Sequence, residues 1–357
     1  MSIINARSPY IISIDEIGSS ETSIEVRIWN GSPSSIPISP TYTESKLVPS
    51  SSSFLTQYNI APLIQGFLSH KIRQNIYGTY PIDTPNSQWC NVRVKRSADG
   101  GGINDVQYLA VNGYGTYKQG YNPILTNWLM DEGTYYYPYN VTINPEINTL
   151  RQVGQLTIHL PSGEDYKVRY TDLVDNTTSE VGLSSTFSDV PCVINSYLTH
   201  GNKIEILDHA NDDAILATYI FKPQTECYYD PITIDFVNAY GAWQRTFMYK
   251  AKYTSFDFSN TEYNLLQTDL IGYDIREGQR KVFNANGIEK IKMNTGWVDE
   301  SYVGVLKQLL LSERVLINGS PAIALTKTLE QQDSLNVNLI NYTLEFKYAY
   351  DYINTLV

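Results

Sequence analysis

The acidic stretch LDHANDDA, residues 207–214, groups the side chains that come nearest to a metal site. Asp208, His209, Asp212 and Asp213 place several oxygen ligands in one loop, and Ca²⁺ and Mg²⁺ prefer oxygen ligands. The spacing departs from the EF-hand pattern, and the stretch separates two predicted strands, KIEIL and ILATYIF. A polar turn is therefore the favoured interpretation. Metal binding by Asp208, Asp212 and Asp213 stays open at this point.

Nucleophilic and acid–base chemistry has no recognisable motif in the sequence. The histidines His70, His159, His200 and His209 are scattered, without a nucleophile elbow or an HExxH motif. Cys192 and His200 could meet through folding, but so could any pair in a chain of this length. Two carboxylates for glycoside hydrolysis need only converge in space, so the sequence leaves that alternative open. We expect no enzymatic activity and no cofactor.

Tyrosine is the residue type that most favours a contact-forming protein. The chain has 29 Tyr against 10 Phe, and a tyrosine combines an apolar ring with a hydroxyl that can stay hydrated, as interfaces require. Aromatic groups could also stack on sugars, which keeps carbohydrate binding as an alternative. The aromatic residues that we predict as core or interface anchors are Trp243, Phe247, Tyr249, Trp297, Tyr135, Tyr136 and Tyr137.

Charge and composition argue against several classes of partner. The formal net charge is −11, whereas a nucleic-acid binder needs a basic surface. No apolar run approaches the roughly 18 residues of a membrane span, and the N-terminus lacks the pattern of a signal peptide. The spacing of Cys90, Cys192 and Cys227 indicates neither a disulfide framework nor a zinc site. We expect no nucleic-acid partner and no membrane insertion.

Alternating apolar and polar residues predict a mainly β fold, with tandem antiparallel β-sandwich-like domains and a C-terminal α+β module. The predicted domains are residues 1–73, which end in a short helix, 74–145, 146–250 and 251–357. Asn59 is the expected cap of the first helix. A second helix is expected at about residues 300–313, capped by Asp299, with Lys307 and Gln308 facing outward.

Residues 230–258, DPITIDFVNAYGAWQRTFMYKAKYTSFDF, predict a long β-hairpin with AYGA as its turn. On this interpretation Asp235, Gln244 and Lys250 lie on its outward, solvated face. Trp243 and Phe247 are expected to anchor the core or an interface. Replacing Trp243 by Ala should then damage folding or assembly.

Four strings in this order resemble one family: YNIAPLIQGFL, YDPITIDFVNAYGAWQRTFMYK, NTGWVDESYVGVLKQLLLSERVLI and NLINYTLEFKYAYDYIN. They are similar to virion structural proteins of tailed bacteriophages, chiefly marine, contractile-tailed phages. The similarity is strongest from Tyr228 to the C-terminus and weakest across Asp165 to Thr225.

This resemblance implies a tail or baseplate protein that is assembled in the host cytoplasm. It would form fixed joints with other virion tail or baseplate proteins, in multiple copies of a symmetric assembly, and could attach fibres. The resemblance supplies no catalytic residues. The alternatives are a receptor- or carbohydrate-binding module on the virion and, as a weaker one, a polysaccharide hydrolase.

Overall fold

The protein has a mainly β fold, as predicted. The computed structural model describes residues 2–49, 54–68, 80–81, 88–123, 128–138, 154–159, 165–183, 191–196, 202–224, 229–265, 276, 278–330 and 339–354. Strands account for 56% of the structure and helices for 9%, in several antiparallel sheets with a small C-terminal helix. These proportions and the sheet arrangement confirm the predicted fold class.

The N-terminal strands enclose one apolar core between a five-stranded and a two-stranded sheet. The elements are β1 (Ser2–Asn5), β2 (Ile11–Asp15), β3 (Glu21–Trp29), β4 (Tyr42–Leu47), β5 (Leu55–Asn59), α1 (Ala61–Phe67), β6 (Tyr80–Pro81), β7 (Trp89–Ala98) and β8 (Gly101–Val111). The larger sheet has the order β1-β8-β7-β3-β4, with β1 parallel to β8, and β2 pairs with β5. Alternation along β3 buries Ile24, Val26 and Ile28 in this core.

Helix α1 closes the N-terminal core, but its N-cap is Ile60 and not the predicted Asn59. The Asn59 side-chain oxygen accepts the Ala61 N–H at 3.2 Å, and Pro62 lies in the first turn, where a missing N–H costs nothing. Ile60 and Ile64 are buried in the same core as β3. The apolar spacing of this short helix therefore reports its packing correctly.

The middle strands form a second five-stranded sheet and a small three-stranded one. They are β9 (Gly133–Pro138), β10 (Gly154–His159), β11 (Tyr166–Asp172), β12 (Thr178–Leu183), β13 (Pro191–Ser196), β14 (Asn202–Asp208) and β15 (Ala214–Gln224). The five-stranded sheet has the order β12-β11-β14-β15-β9, with β9 parallel to β15. Strand β13 pairs with β10 on one side and β6 on the other.

The C-terminal strands form a seven-stranded sheet and a two-stranded one. They are β16 (Ile232–Val237), β17 (Trp243–Met248), β18 (Tyr253–Asn264), β19 (Arg280–Asn294), β20 (Val298–Asp299), β21 (Val315–Ile317), β22 (Ser320–Ala324), β23 (Leu339–Ile340) and β24 (Thr343–Tyr348), with α2 (Val303–Leu310) after β20. The seven-stranded sheet has the order β17-β16-β21-β22-β24-β19-β18, and β20 pairs with β23. Strand β18 is thus an edge strand.

The predicted C-terminal helix is shorter than expected and buries one residue that we expected outside. A 3₁₀ turn at Glu300–Tyr302 precedes α2, and Asp299 caps it by accepting the Ser301 N–H at 3.0 Å. Lys307 is exposed as predicted, but Gln308 is buried. Gln308 faces inward because its side-chain amide forms hydrogen bonds with buried polar groups. The amide oxygen accepts the N–H of Ala239 at 3.1 Å, and the amide nitrogen donates to Asp131.

Strand pairing crosses each predicted domain boundary. Strands β3 and β7 share a sheet across residues 73 and 74, β9 pairs with β15 across residues 145 and 146, and the seven-stranded sheet contains strands from both sides of residue 250. The four predicted segments are therefore not separate folding units. Alternation reveals a strand but not its partner, and backbone hydrogen bonds here join strands far apart in the sequence.

The predicted hairpin of residues 230–258 exists as β16 and β17, but its polar face is not solvated. Its turn is as expected, with Gly241 at a φ of 77°, yet Asp235 and Gln244 are buried. They are covered because β9 and β10 contact β17 and α2 contacts β16. Asp235 instead accepts two hydrogen bonds from Arg245 across the hairpin, at 2.7 and 2.8 Å.

Candidate interaction site

Of the aromatic residues predicted as core or interface anchors, Trp297 alone is largely exposed. Trp243, Phe247, Tyr249, Tyr135 and Tyr137 are buried, and Tyr136 is partly buried. The Tyr136 hydroxyl accepts the Asp299 N–H at 3.1 Å, and its ring meets the edge of Tyr302 at 5.6 Å. Burial raises the pKa of the Tyr249 and Tyr135 hydroxyls far above their usual range. These side chains therefore hold the core together, whereas Trp297 remains available for recognition.

The turn that carries Trp297 is tightly held by its neighbours. Thr295 is fully buried and bonds the Tyr342 backbone in both directions, each at 2.9 Å. The Asn294 side chain accepts the Gly296 N–H at 2.8 Å and donates to Thr343 at 2.9 Å. Such bonds fix the backbone before any ligand arrives, which lowers the entropic cost of binding.

Trp297 forms part of a groove of about 470 Å³ at the base of the β18–β19 hairpin. Met293, which is buried, lies at its floor. Its lining residues are Lys250, Ala251, Tyr253, Lys292, Met293, Asn294, Gly296, Trp297, Asn341 and Thr343. Trp297 is 54% exposed and Tyr253 is 69% exposed. We call this surface the Trp297 groove.

The β18–β19 hairpin itself is exposed along most of its length. Every residue of β18 is exposed, and β24 pairs with β19 only over Lys290–Asn294. The part formed by residues 258–264 and 280–287 therefore extends past the end of β24. At about 3.4 Å per residue, seven residues of such a ribbon span roughly 24 Å. We call this part the hairpin arm.

Aromatic side chains dominate the surface of the hairpin. Phe258 is 84% exposed and stacks on Phe256 with ring centroids 6.3 Å apart. Tyr263 and Phe283 form an edge-to-face pair at 5.6 Å nearer the tip. Natural edge strands often contain Lys or Pro, which discourage pairing with a strand of another chain. Strand β18 has the sequence YTSFDFSNTEYN and contains neither. An exposed edge strand that carries four aromatic residues among twelve is typical of a surface that a partner covers.

The C-terminal segment after β24 crosses the hairpin and shapes a second cavity of about 370 Å³. Tyr352 donates its N–H to the Gly287 carbonyl at 2.7 Å, and its ring meets the edge of Phe256 at 5.7 Å. Asn286 exchanges two hydrogen bonds with the Ile353 backbone, at 3.1 and 3.0 Å. The cavity is lined mainly by these apolar side chains and therefore extends the apolar surface of the hairpin.

Ion pairs lie at both ends of the exposed hairpin. Asp257 pairs with Lys290 near its base, and the hydrogen bond that the Lys290 ammonium donates to that carboxylate raises the pKa of the ammonium. Glu262 lies 3.9 Å from Arg280 towards the tip. Both pairs are solvated, so each contributes little to stability.

The acidic stretch of residues 207–214 is a turn, as favoured by the sequence. A 3₁₀ turn at His209–Asn211 joins β14 to β15, and Asp208 caps it through the Ala210 N–H at 3.1 Å. Asp213 is engaged by His209 at 2.8 Å and by Lys167 at 3.3 Å. These hydrogen bonds, chiefly the one from His209, hold the pKa of the Asp213 carboxyl below its usual range. Within the described part of the chain, no cluster of His, Cys, Asp and Glu could hold a metal ion.

The described residues do not test the pairing of Cys192 with His200. His70, His200 and Cys227 lie outside those residues, and only the backbone of Cys192 is described. Cys90 is buried, which raises the pKa of its thiol to about 12 and keeps it protonated and unreactive. Among the helices that the structure describes, none is long and apolar enough to cross a bilayer.

Comparison with protein-family models and with curated proteins finds no match to this chain. The likeness to phage tail proteins therefore rests on the sequence strings quoted above and stays a prediction.

Two features of the candidate site were not predicted from the sequence. The strand signal of YTSFDFSNTEYN was visible, but alternation does not show that both faces of β18 are uncovered. The Trp297 groove depends on Lys250, Lys292 and Asn341, which come from separate parts of the chain. A local signal did exist for the turn: Gly296 beside a Trp marks a bend that presents an aromatic side chain.

Proposed function

We propose that this protein is a structural component of a bacteriophage tail or baseplate and that the β18–β19 hairpin joins it to a neighbouring tail or baseplate protein. The observation that carries this proposal is the fully exposed β18, whose outer edge has no strand partner among the described residues. An unpaired strand edge offers backbone hydrogen bonds to an incoming strand, and side-chain pockets beside it provide specificity.

The side chains of the hairpin support the same function. Phe256, Phe258 and Tyr263 are exposed on β18, and aromatic residues are enriched at the buried centres of protein interfaces. Contiguous exposed aromatic residues often mark a surface at which a protein binds a partner. Multiple copies in a symmetric ring would repeat the same joint around the tail axis.

The hydrolase alternative gains no support from the Trp297 groove. Glycoside hydrolysis uses two carboxyl groups facing each other across the substrate. None of the described residues that line the groove is Asp or Glu. We therefore propose binding, rather than turnover, as the activity of this protein, in a virion that is assembled in the host cytoplasm.

The test is to locate the protein in purified phage particles by mass spectrometry and in an electron-microscopy map of the tail. The replacement Phe258→Ser should leave the isolated protein folded, because the side chain is 84% exposed, but should prevent its incorporation into particles. Tyr117→Ser is the matched control, because Tyr117 is 101% exposed and lies far from the hairpin in sequence, in the turn at Tyr117–Gln119. Absence of the unmodified protein from virions would overturn the proposal, as would normal incorporation of the Phe258→Ser variant.

A further inference from the structure

The Trp297 groove combines an aromatic platform with a polar rim. Trp297 and Tyr253 expose more than half of their surface beside it, while Asn341 and Thr343 bring an amide and a hydroxyl. Sugar rings present apolar C–H faces surrounded by hydroxyl groups, so their sites pair a flat aromatic side chain with amides and hydroxyls. The groove volume of about 470 Å³ lies within the range of small-molecule sites.

The aromatic platform is pre-organised. Gly296 has a φ of 72°. The next residue is Trp297, and its carbonyl accepts a hydrogen bond at 3.3 Å from the side chain of Gln224 on β15. The Asn294 carbonyl accepts the Tyr249 N–H from the end of β17 at 3.1 Å. These bonds to β15 and to the end of β17 fix the backbone that presents the exposed Trp297, as a pre-organised binding site requires.

The charge of the groove is opposite to that of the whole protein. The chain carries a net charge of −11, yet Lys250 and Lys292 line the groove and no Asp or Glu appears among its described lining residues. The exposed Lys292 ammonium beside an uncharged aromatic platform favours an anionic ligand.

We infer that the Trp297 groove binds a saccharide that carries an anionic substituent, with the sugar ring over the Trp297 indole and the anionic group at Lys292. Asn341 and Thr343 supply hydrogen bonds to the hydroxyls of the sugar. The inference does not rest on the tail or baseplate function, because the groove lies at the base of the hairpin and not on the hairpin arm. A tail protein with such a groove would also contact the acidic polysaccharide of a cell surface.

The test uses the purified full-length chain on an array of saccharides that carry uronate, sialate, sulfate or phosphate groups, printed beside their neutral counterparts. We expect binding to at least one acidic saccharide and at least about tenfold weaker binding to its neutral counterpart. Added salt should weaken binding, because exposed ammonium groups are screened. The substituent that gives the strongest signal would distinguish carboxylate from sulfate or phosphate ligands.

Two variants assign the binding to the groove. Trp297→Ala and Lys292→Gln should each reduce affinity for the bound saccharide by about tenfold or more, and neither should unfold the protein because both side chains are exposed. Tyr117→Ala and Lys118→Gln are the matched controls, an exposed aromatic residue and an exposed lysine side by side in an N-terminal turn. Binding should be unchanged in both.

Three results would overturn the inference. They are failure of the folded protein to bind any acidic saccharide, equal binding of acidic and neutral counterparts, and retention of binding in Trp297→Ala. A different outcome would assign the groove to a protein partner. In that case the unmodified protein binds no saccharide, and the Trp297→Ala variant is not incorporated into particles. Particle incorporation of the Phe258→Ser variant is scored separately, so failure of one proposal leaves the other intact.

Discussion

Gly296 occupies a position that no other residue can fill without strain. Its φ of 72° lies in the left-handed region, which side chains with a Cβ rarely adopt. A Cβ built there would also lie 3.0 Å from the Gln224 side-chain nitrogen and 3.3 Å from the Tyr249 Cβ. The same residue therefore combines a conformational and a steric requirement, and it directly precedes the exposed Trp297.

Replacing Gly296 by Ala should destabilise the protein by about 1–3 kcal/mol. Gly319 is the matched control: its φ is 84°, but nothing lies within 4 Å of its added Cβ. Gly319→Ala should therefore lose only the conformational contribution to stability, about 1 kcal/mol. Chemical denaturation of both variants measures the difference. Equal losses in the two variants would show that the contacts to Gln224 and Tyr249 relax without cost.

At the level of the elements, the β16–β17 hairpin is a core element and the β18–β19 hairpin is a surface element. Both contain alternating aromatic residues, so their sequences look alike. Strand β17 buries Trp243, Thr246 and Met248, whereas every residue of β18 is exposed. The difference arises from neighbours supplied by distant segments, since β9 and β10 contact β17.

Trp243→Ala should therefore destabilise the protein by about 3–5 kcal/mol, because it removes a large buried side chain and leaves a cavity. Trp297→Ala is the matched comparison and should change stability by less than about 0.5 kcal/mol, because that side chain is largely exposed. Thermal and denaturant unfolding of the two variants measure these values. A Trp243→Ala protein as stable as the parent would contradict the assignment of this residue to the core.

The sequence predicted elements well and their surroundings poorly. Periodicity identified α1, the β16–β17 hairpin and its turn, and the acidic turn at residues 207–214, since each follows from local spacing and turn residues. It misassigned Asp235 and Gln244 to a solvated face. Polar residues normally indicate solvent, but here Arg245 satisfies Asp235, and Asn238 donates to Gln244 at 3.2 Å. Such buried partners are invisible to a pattern of apolar and polar letters.

The molecule as a whole is joined by a small apolar cluster between its N-terminal sheet and the later segments. Ile3, Trp89 and Leu109 come from the N-terminal sheet, and Leu129 and Ala242 pack with them. A salt bridge of 3.0 Å between Arg7 and Glu313 crosses the same region. We therefore expect the described parts of the chain to unfold together rather than one after another.

Alkaline pH offers a test of this cooperativity. Burial raises the pKa of Tyr10, in the N-terminal part, and of Tyr302, before α2, to about 12 from the ordinary 10.0. Because folding favours their protonated forms, this contribution to stability is complete below pH 10 and is lost as the pH rises towards about 12. Both tyrosines should ionise together with the loss of circular dichroism. Ultraviolet absorbance of tyrosinate follows the titration. Ionisation of all tyrosines near pH 10 with the fold intact would contradict this expectation.

The parallel pairing of β1 with β8 has a consequence for synthesis on the ribosome. Ser2 pairs with Tyr108 and Asn5 with Val111, so the first strand of the sheet is made long before the strand that completes its hydrogen bonds. Until β8 emerges, Ile3 and Ile4, both buried in the finished protein, stay in contact with water or with chaperones. Folding of the N-terminal sheet must therefore wait until the residues between Asn5 and Tyr108 have been made. Slow translation upstream of β8 should lengthen the time in which aggregation competes with folding.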